Sequence, residues 1–255
     1  LGHVPSFEIV SHRILWSLVF FLLMISFLGE WKEVFQRVRE SENKIILVMP
    51  ALLIGSNWVL YIWAVNAGNV IETSLGYFIC PLVSVFLGVL VLKERLRRLQ
   101  WVAVSMAGMG VLVMTCLYGQ FPWISISLAV TWGTYGLARK KSVLSSSHGL
   151  MLEAALLTVP AVLYLIYLDH SGTGSFLSDP KTTCLLIGSG MISGLPLFVF
   201  ISGARMIRLS TIGILQYIYP VLILLVGVYV FHESLHRANL AGLIFTWAAV
   251  SLYSA

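Results

Sequence analysis

A zinc-binding pattern stands near the end of the chain, where residues 232–236 read HESLH. In the H-E-x-x-H pattern, two histidines one helical turn apart bind zinc and the glutamate acts as a general base. A catalytic zinc also needs a third protein ligand and an open position for water. No His, Asp or Glu follows His236, so a third ligand would have to come from upstream. An intramembrane metalloprotease that uses His232, Glu233 and His236 is therefore one reading of the sequence.

Polar side chains inside apolar runs are a second group of candidates, because such groups are costly in lipid and usually face a bundle interior or a wet cavity. Asn57 lies in the middle of the run 44–66, beside Trp58 and one helical turn from Tyr61. These three residues could line a solute path. The alternative is a hydrogen bond between helices, with Trp58 packed against lipid or a neighbouring helix.

Two prolines, Pro81 and Pro220, also lie inside apolar runs. Each proline removes a helical hydrogen bond and frees a carbonyl about four residues earlier, close to Tyr77 and to Gln216. We interpret Tyr77, Gln216 and Tyr217 as solute-path candidates and both prolines as hinge candidates. Static kinks are the alternative interpretation.

Two ionisable residues, Arg13 and Glu153, stand about one turn inside the ends of their runs. A gating pair or a role in proton coupling is one interpretation. The other is that both side chains snorkel to the nearest headgroups.

Trp132 is a candidate for stacking a flat solute, together with Tyr135 and Trp63. Aromatic side chains at helical spacing also form the interfacial belt of membrane proteins or fill the bundle. Both readings of Trp132 remain open at this point.

The elements that carry these residues are membrane helices. The 255 residues are 58% hydrophobic and 11% charged, with a mean hydropathy of +0.91, which excludes a water-soluble domain. A helix needs roughly 20 apolar residues to cross a bilayer. The sequence therefore predicts an all-α polytopic membrane protein with spans at about 8–29, 44–66, 71–92, 99–117, 121–139, 148–168, 182–203, 210–231 and 238–255.

Basic residues set the predicted orientation of these spans. Thirteen Lys and Arg residues fall in alternate loops, against two in the remaining loops. The positive-inside rule places the thirteen in the cytoplasm. The first residue of the chain is then predicted outside and the last one inside.

An internal repeat appears when the chain is shifted by 139 residues. The shift superposes Pro81 on Pro220, Gly88 on Gly227, Glu94 on Glu233 and Arg98 on Arg237. It pairs the first four spans with the last four, so we expect a further helix before Leu1 and two five-helix repeats, 1–117 and 121–255. An odd number of helices per repeat predicts opposite orientations, which is typical of secondary transporters.

The same shift weakens the zinc reading. The partner of HESLH is KERLR, residues 93–97, which keeps the glutamate but has Lys and Arg where zinc would need His. We therefore interpret Glu94 and Glu233 as structural residues at helix ends and expect no metal, no cofactor and no enzyme activity.

Several stretches carry a family resemblance. They are SHRILWS (11–17), IGSNWVLYIWAVN (54–66), SLGYFICPLVSVFLGVLVLKERLRRLQWVAV (74–104), YGLARKK (135–141) and LSTIGILQYIYPVLILLVGVYVFHESL (209–235). The sequence resembles the RarD branch of the EamA-type drug/metabolite transporters over essentially its whole length. The resemblance implies a ten-helix permease with both termini in the cytoplasm, which cycles between inward-open and outward-open states.

These observations predict a secondary-active permease of the bacterial inner membrane that moves a small organic metabolite or drug. The expected partners are a small-molecule substrate and the lipid bilayer, with a homodimer left open and no nucleic acid. A membrane scaffold that transports nothing is a further alternative, for which the repeat would be inherited architecture.

Overall fold

The computed structural model describes residues 4–41, 44–219, 222, 247–248 and 250–253. Within these residues the chain is helical and contains no strand. The helices are α1 (Ser6–Leu28), α2 (Trp31–Glu40), α3 (Lys44–Asn66), α4 (Val70–Leu90), α5 (Arg98–Tyr118), α6 (Trp123–Lys141), α7 (Ser146–Ser171), α8 (Pro180–Met206) and α9 (Leu209–Leu215).

The long helices follow the predicted spans. Among the described residues, six helices are long and apolar enough to cross a membrane, namely α1, α3, α4, α5, α7 and α8. Helix α6 covers the fifth predicted span. Only the first part of the span 210–231 is described, as α9, and most of the span 238–255 lies outside the described residues, as does the HESLH segment.

Helix α2 was not predicted, because its ten residues are too short to span a bilayer and were interpreted as a loop. Its apolar residues are Trp31, Val34, Phe35 and Val38, spaced as one face of a helix. Val34 is buried and packs with α1 and α7, whereas charged residues occupy the opposite face. An amphipathic helix of this kind suits the membrane interface.

The chain forms two compact units. Unit 1 comprises Leu1–Gly55 and Ala138–Arg205. In this unit α1 packs along α7 around a core that includes Phe21, Ile25 and Leu150. Helix α8 reaches α1 through Gly190, where an added Cβ atom would clash with the backbone at Trp16 and Ser17.

Unit 2 comprises Ser56–Leu137 and Met206–Ala255. In this unit α4 packs against α9 and α5 around Phe78, Val85 and Ala107. An added Cβ atom on Gly213 of α9 would lie 2.7 Å from the Pro81 carbonyl oxygen of α4. The close pairs α1–α7 and α4–α9 both join helices that the 139-residue shift superposes.

Candidate functional site

Asn57 is held by a helix of its own unit. Its Nδ2 donates to the Leu128 carbonyl oxygen at 3.0 Å and to the Thr131 Oγ1 at 2.8 Å, both on α6. The amide therefore uses both of its N–H donors between helices, which is the structural alternative left open by the sequence. Among the described residues, none donates a hydrogen bond to its Oδ1. This oxygen is therefore available to a solute.

Three tyrosines of unit 2 form an aromatic cluster. The ring of Tyr77 lies 6.1 Å from that of Tyr61 and 5.0 Å from that of Tyr219, measured between centroids. Tyr61 is one turn beyond Asn57 on α3, so an amide and three phenol rings occupy one region of this unit. We name Tyr61, Tyr77 and Tyr219 the tyrosine cluster.

Tyr219 was not among the solute-path candidates. In the sequence, only its position next to Pro220 drew attention to Tyr219. Helical periodicity could not predict where its ring lies, because α9 ends before residue 219. The structure thus adds one residue to the predicted pair Tyr61 and Tyr77.

Tyr217 has a different environment from the tyrosine cluster. Only 1% of its surface is exposed, and its hydroxyl donates to the Phe78 carbonyl oxygen at 3.1 Å. That carbonyl follows the carbonyl of Tyr77, whose helical donor Pro81 lacks, so Tyr217 adds a hydrogen bond next to the weakened point of α4. The contact stabilises the α4–α9 packing.

The two predicted hinge points differ in their surroundings. Helix α4 is continuous from Val70 to Leu90 with Pro81 inside it. In the repeat-related segment the helix ends at Leu215, residues 216–217 form a turn, and the Tyr219 N–H donates to the Gln216 carbonyl oxygen at 3.0 Å. Pro220 itself lies outside the described residues.

Trp58 and Trp132 are half-buried in unit 2. The ring of Trp132 lies 5.8 Å from that of Tyr135 on the same helix. Trp58 directly follows Asn57 on α3.

The predicted coupling residues lie in unit 1. Glu153 is buried, and its Oε1 lies 3.3 Å from the Nε of Arg139, which is also buried. The carboxylate therefore meets an internal guanidinium and does not snorkel to a headgroup. Arg13 is half-buried on α1. Whether either residue acts in gating or coupling remains a proposal.

The ion pair of Glu153 belongs to a larger charged region that the sequence did not reveal. The Arg139 Nη2 donates to the carbonyl oxygens of Ser145 and Ser146 at 3.2 and 3.0 Å. Nearby, the Nε2 of buried His148 lies 2.7 Å from the Oε2 of Glu30. From the sequence alone Arg139 is expected in a cytoplasmic loop, because a basic run after an apolar segment usually marks a helix end in water.

Two carboxylates in unit 2 cap helices. The Glu94 Oε1 accepts from the Leu209 N–H at 2.8 Å, and its Oε2 accepts from the Ser210 N–H at 2.9 Å. The interpretation of Glu94 as a structural residue at a helix end is confirmed. Glu72 likewise accepts from the Ile124 N–H at 3.0 Å, at the start of α6, and from the Tyr118 hydroxyl at 2.9 Å.

Unit 2 also contains a cavity of about 590 Å³. Its polar lining includes Arg97, Gln100, Arg208 and Thr211. None of the predicted solute-path residues lines it, so this cavity and the tyrosine cluster are separate features.

Comparisons with known proteins agree with the helical architecture. A solved crystal structure of a protein with 18% sequence identity covers 100% of this chain and 89% of its own, with a TM-score of 0.75. The model of the EamA-like transporter family matches residues 1–116 and 122–255.

Relatives of similar length are bacterial. The chain is 41% identical to an uncharacterized transporter, YojE, of Bacillus subtilis (strain 168), and covers 86% of that protein. It is 37% identical to the protein RarD of Escherichia coli (strain K12), over 98% of this chain and 85% of that one. A protein RarD of Streptomyces exfoliatus is 41% identical over 95% of this chain and 78% of that one.

The apolar helices and these relatives define a multi-pass transporter of the bacterial inner membrane. The chain belongs to the EamA-like transporter family and is similar to its members named RarD.

Proposed function

We propose that the protein is a secondary-active permease that moves a small organic metabolite or drug by alternating access. The observation that carries this proposal is the tyrosine cluster beside Asn57, within apolar runs of the chain. Polar groups at membrane depth are costly and mark solute paths. Membership of a transporter family supports the same proposal.

The chemistry of the cluster favours a solute with a flat or apolar part and at least one hydrogen-bond donor. Phenol rings offer large apolar faces and a polar hydroxyl. The Nδ2 of Asn57 is engaged by α6, so the Oδ1 is its acceptor for a solute. Trp58 and Gln216 flank the cluster along the chain and complete the proposed path.

Alternating access in this proposal uses two repeats, 1–117 and 121–255, of opposite orientation. The turn at 216–217 is the proposed flexible point, because among the described residues the carbonyl of Gln216 accepts from Tyr219 in a short turn rather than in the regular helical pattern. Around Pro81 the helix is continuous and supported by Tyr217. Arg13 and Glu153 are proposed gating or coupling residues.

The first prediction tests the cluster by transport. Purified protein in liposomes is screened with amino acids, nucleosides, S-adenosyl compounds and amphiphilic drugs, and we expect saturable flux for at least one class. Tyr77→Ala should lower that flux by about fivefold, because it removes the central ring contact, worth roughly 1 kcal/mol.

The matched control is Tyr167→Ala, which removes a tyrosine that is 65% exposed on α7. This variant should transport as the wild type does. An absence of saturable flux with every class would contradict the permease, whereas equal flux in both variants would contradict only the site.

A further inference from the structure

A polar stripe runs along one face of α1. Glu8, His12 and Trp16 are spaced four residues apart, so they lie one above another on the helix. Glu8 and His12 are only 1% and 3% exposed. Buried polar atoms without partners are rare in native proteins, so each one calls for an explanation.

All three side chains carry such atoms. Among the described residues, the Oε2 of Glu8, both ring nitrogens of His12 and the Nε1 of Trp16 are buried without a hydrogen-bond partner. The stripe therefore offers, in order, an acceptor, a ring that both donates and accepts, and a donor.

The surroundings hold these side chains in place. The Oε1 of Glu8 accepts from the backbone N–H groups of Ser175 and Phe176 at 2.7 and 3.0 Å. The ring of His12 stacks on that of Phe176 with centroids 4.5 Å apart. The connection between α7 and α8 thus fixes one carboxylate oxygen and one face of the imidazole, and it leaves the remaining polar atoms of both groups for another ligand.

The repeat-related helix lacks this stripe. The shift of 139 residues places Ser147, Met151 and Ala155 of α7 at the positions of Glu8, His12 and Trp16. A pattern required only for packing these two helices would be expected on both of them. Its presence on α1 alone favours a role in the activity of the protein.

We propose that Glu8 and His12 together form a proton-binding site, reached from the predicted outer face, and that its proton drives the permease. The step is an addition of H⁺ from outside water to the imidazole or to the Oε2 of Glu8, with release of the same H⁺ to the inside after the conformational change. No other bond forms or breaks. The driving role rests on the proposed function, whereas proton binding does not.

A carboxylate and an imidazole one turn apart suit a proton better than other ligands. Histidine changes its charge close to neutral pH, and Glu8 lies one helical turn from the His12 ring on the same face of α1. The charged and titratable groups near this pair include Arg13, the next residue on α1, and Tyr164 on α7, which interacts with Glu8. Trp16 can only donate and therefore serves as a positioning residue.

The first test needs no solute. Protein labelled with ¹⁵N-histidine in lipid nanodiscs is titrated from about pH 5 to about pH 9, the range in which histidine changes charge. The ring signal that is missing from His12→Gln identifies His12. We expect this ring to bind a proton from bulk water, and Glu8→Gln should displace its titration midpoint. A His12 ring that keeps one protonation state throughout, or ignores Glu8→Gln, overturns the proposal.

The second test separates coupling from transport. For a solute that the wild type exchanges, an inward gradient of one pH unit should change accumulation by about tenfold if one proton is coupled. His12→Gln and Glu8→Gln should lose this change but keep exchange at equal pH. Gln at position 8 retains an oxygen that can accept from Ser175 and Phe176, so the fold is preserved.

The matched control is His148→Gln, which replaces another buried histidine of unit 1 by a side chain that can still donate to Glu30. This control should keep the pH response. If His12→Gln also keeps it, or if the wild type shows none, the coupling role is wrong. An absence of exchange in the wild type would instead contradict the proposed function, and the nanodisc titration would still decide proton binding.

Discussion

The two compact units differ in the partners of their carboxylates. In unit 2, Glu72 and Glu94 accept backbone N–H groups at the starts of α6 and α9. In unit 1, Glu153 pairs with Arg139, and Glu8 accepts backbone N–H groups with one oxygen while sharing a helix face with His12. A backbone donor cannot change its charge, whereas the imidazole of His12 can. We therefore expect Glu72 and Glu94 to be structural and the pair Glu8 and His12 to respond to pH.

The largest expected effect comes from breaking the ion pair of unit 1. Arg139→Ala leaves the carboxylate of Glu153 buried without its guanidinium, which should lower the free energy of unfolding by about 3–5 kcal/mol. Denaturant unfolding in micelles measures this loss. The double variant Arg139→Ala/Glu153→Ala should recover part of it, because no unpaired charge remains. Equal losses in both variants would show that packing rather than charge dominates at this pair.

A second change tests whether α8 holds the polar stripe of α1 in place. Gly190→Ala introduces a Cβ atom into the backbone of α1 at Trp16 and Ser17, so it should cost about 1–3 kcal/mol of unfolding free energy. Gly188→Ala is the matched control on the same helix, because nothing lies within 4 Å of its Cβ position. If the two variants unfold alike, the α1–α8 contact is looser than described.

The smallest effect concerns the caps of unit 2. Glu94→Ala removes the acceptors of two N–H groups at the start of α9 and should cost about 1–2 kcal/mol. Glu94→Gln keeps one oxygen acceptor and should lose less. Thermal unfolding of the two variants gives the difference. Equal losses in the two variants would mean that the charge of Glu94, and not its capping, stabilises the unit, and the contrast between the units would fail.

The helices were predictable from sequence because long apolar runs have few alternatives in lipid. Helix α2 escaped prediction because ten amphipathic residues resemble a charged loop when only hydropathy is averaged. Asn57, Tyr61 and Tyr77 could be proposed because polar groups in apolar runs stand out. Tyr219 could not, since its contact with Tyr77 depends on where α9 ends.

Burial of charge was the least predictable property. Arg139 is the first basic residue of the stretch YGLARKK, whose two lysines are more exposed, and nothing in that stretch distinguishes it. Its burial depends on Gly149 of α7, because an added Cβ atom there would overlap the guanidinium. A glycine on one helix thus decides the environment of an arginine on another, and a single sequence does not display such a pairing.

The continuous α4 and the interrupted segment after α9 also differ mechanically. Helix α4 stays helical on both sides of Pro81, although the proline removes one bond of its ladder, so we expect a displacement of one end of α4 to move the other. After α9 the chain turns at 216–217, while Glu94 and the tight contact of Gly213 anchor the seven residues before the turn. We expect residues 218–219 to rotate more easily than the anchored helix, so that the Tyr219 ring changes its angle to Tyr77 while the packing of α4 stays intact.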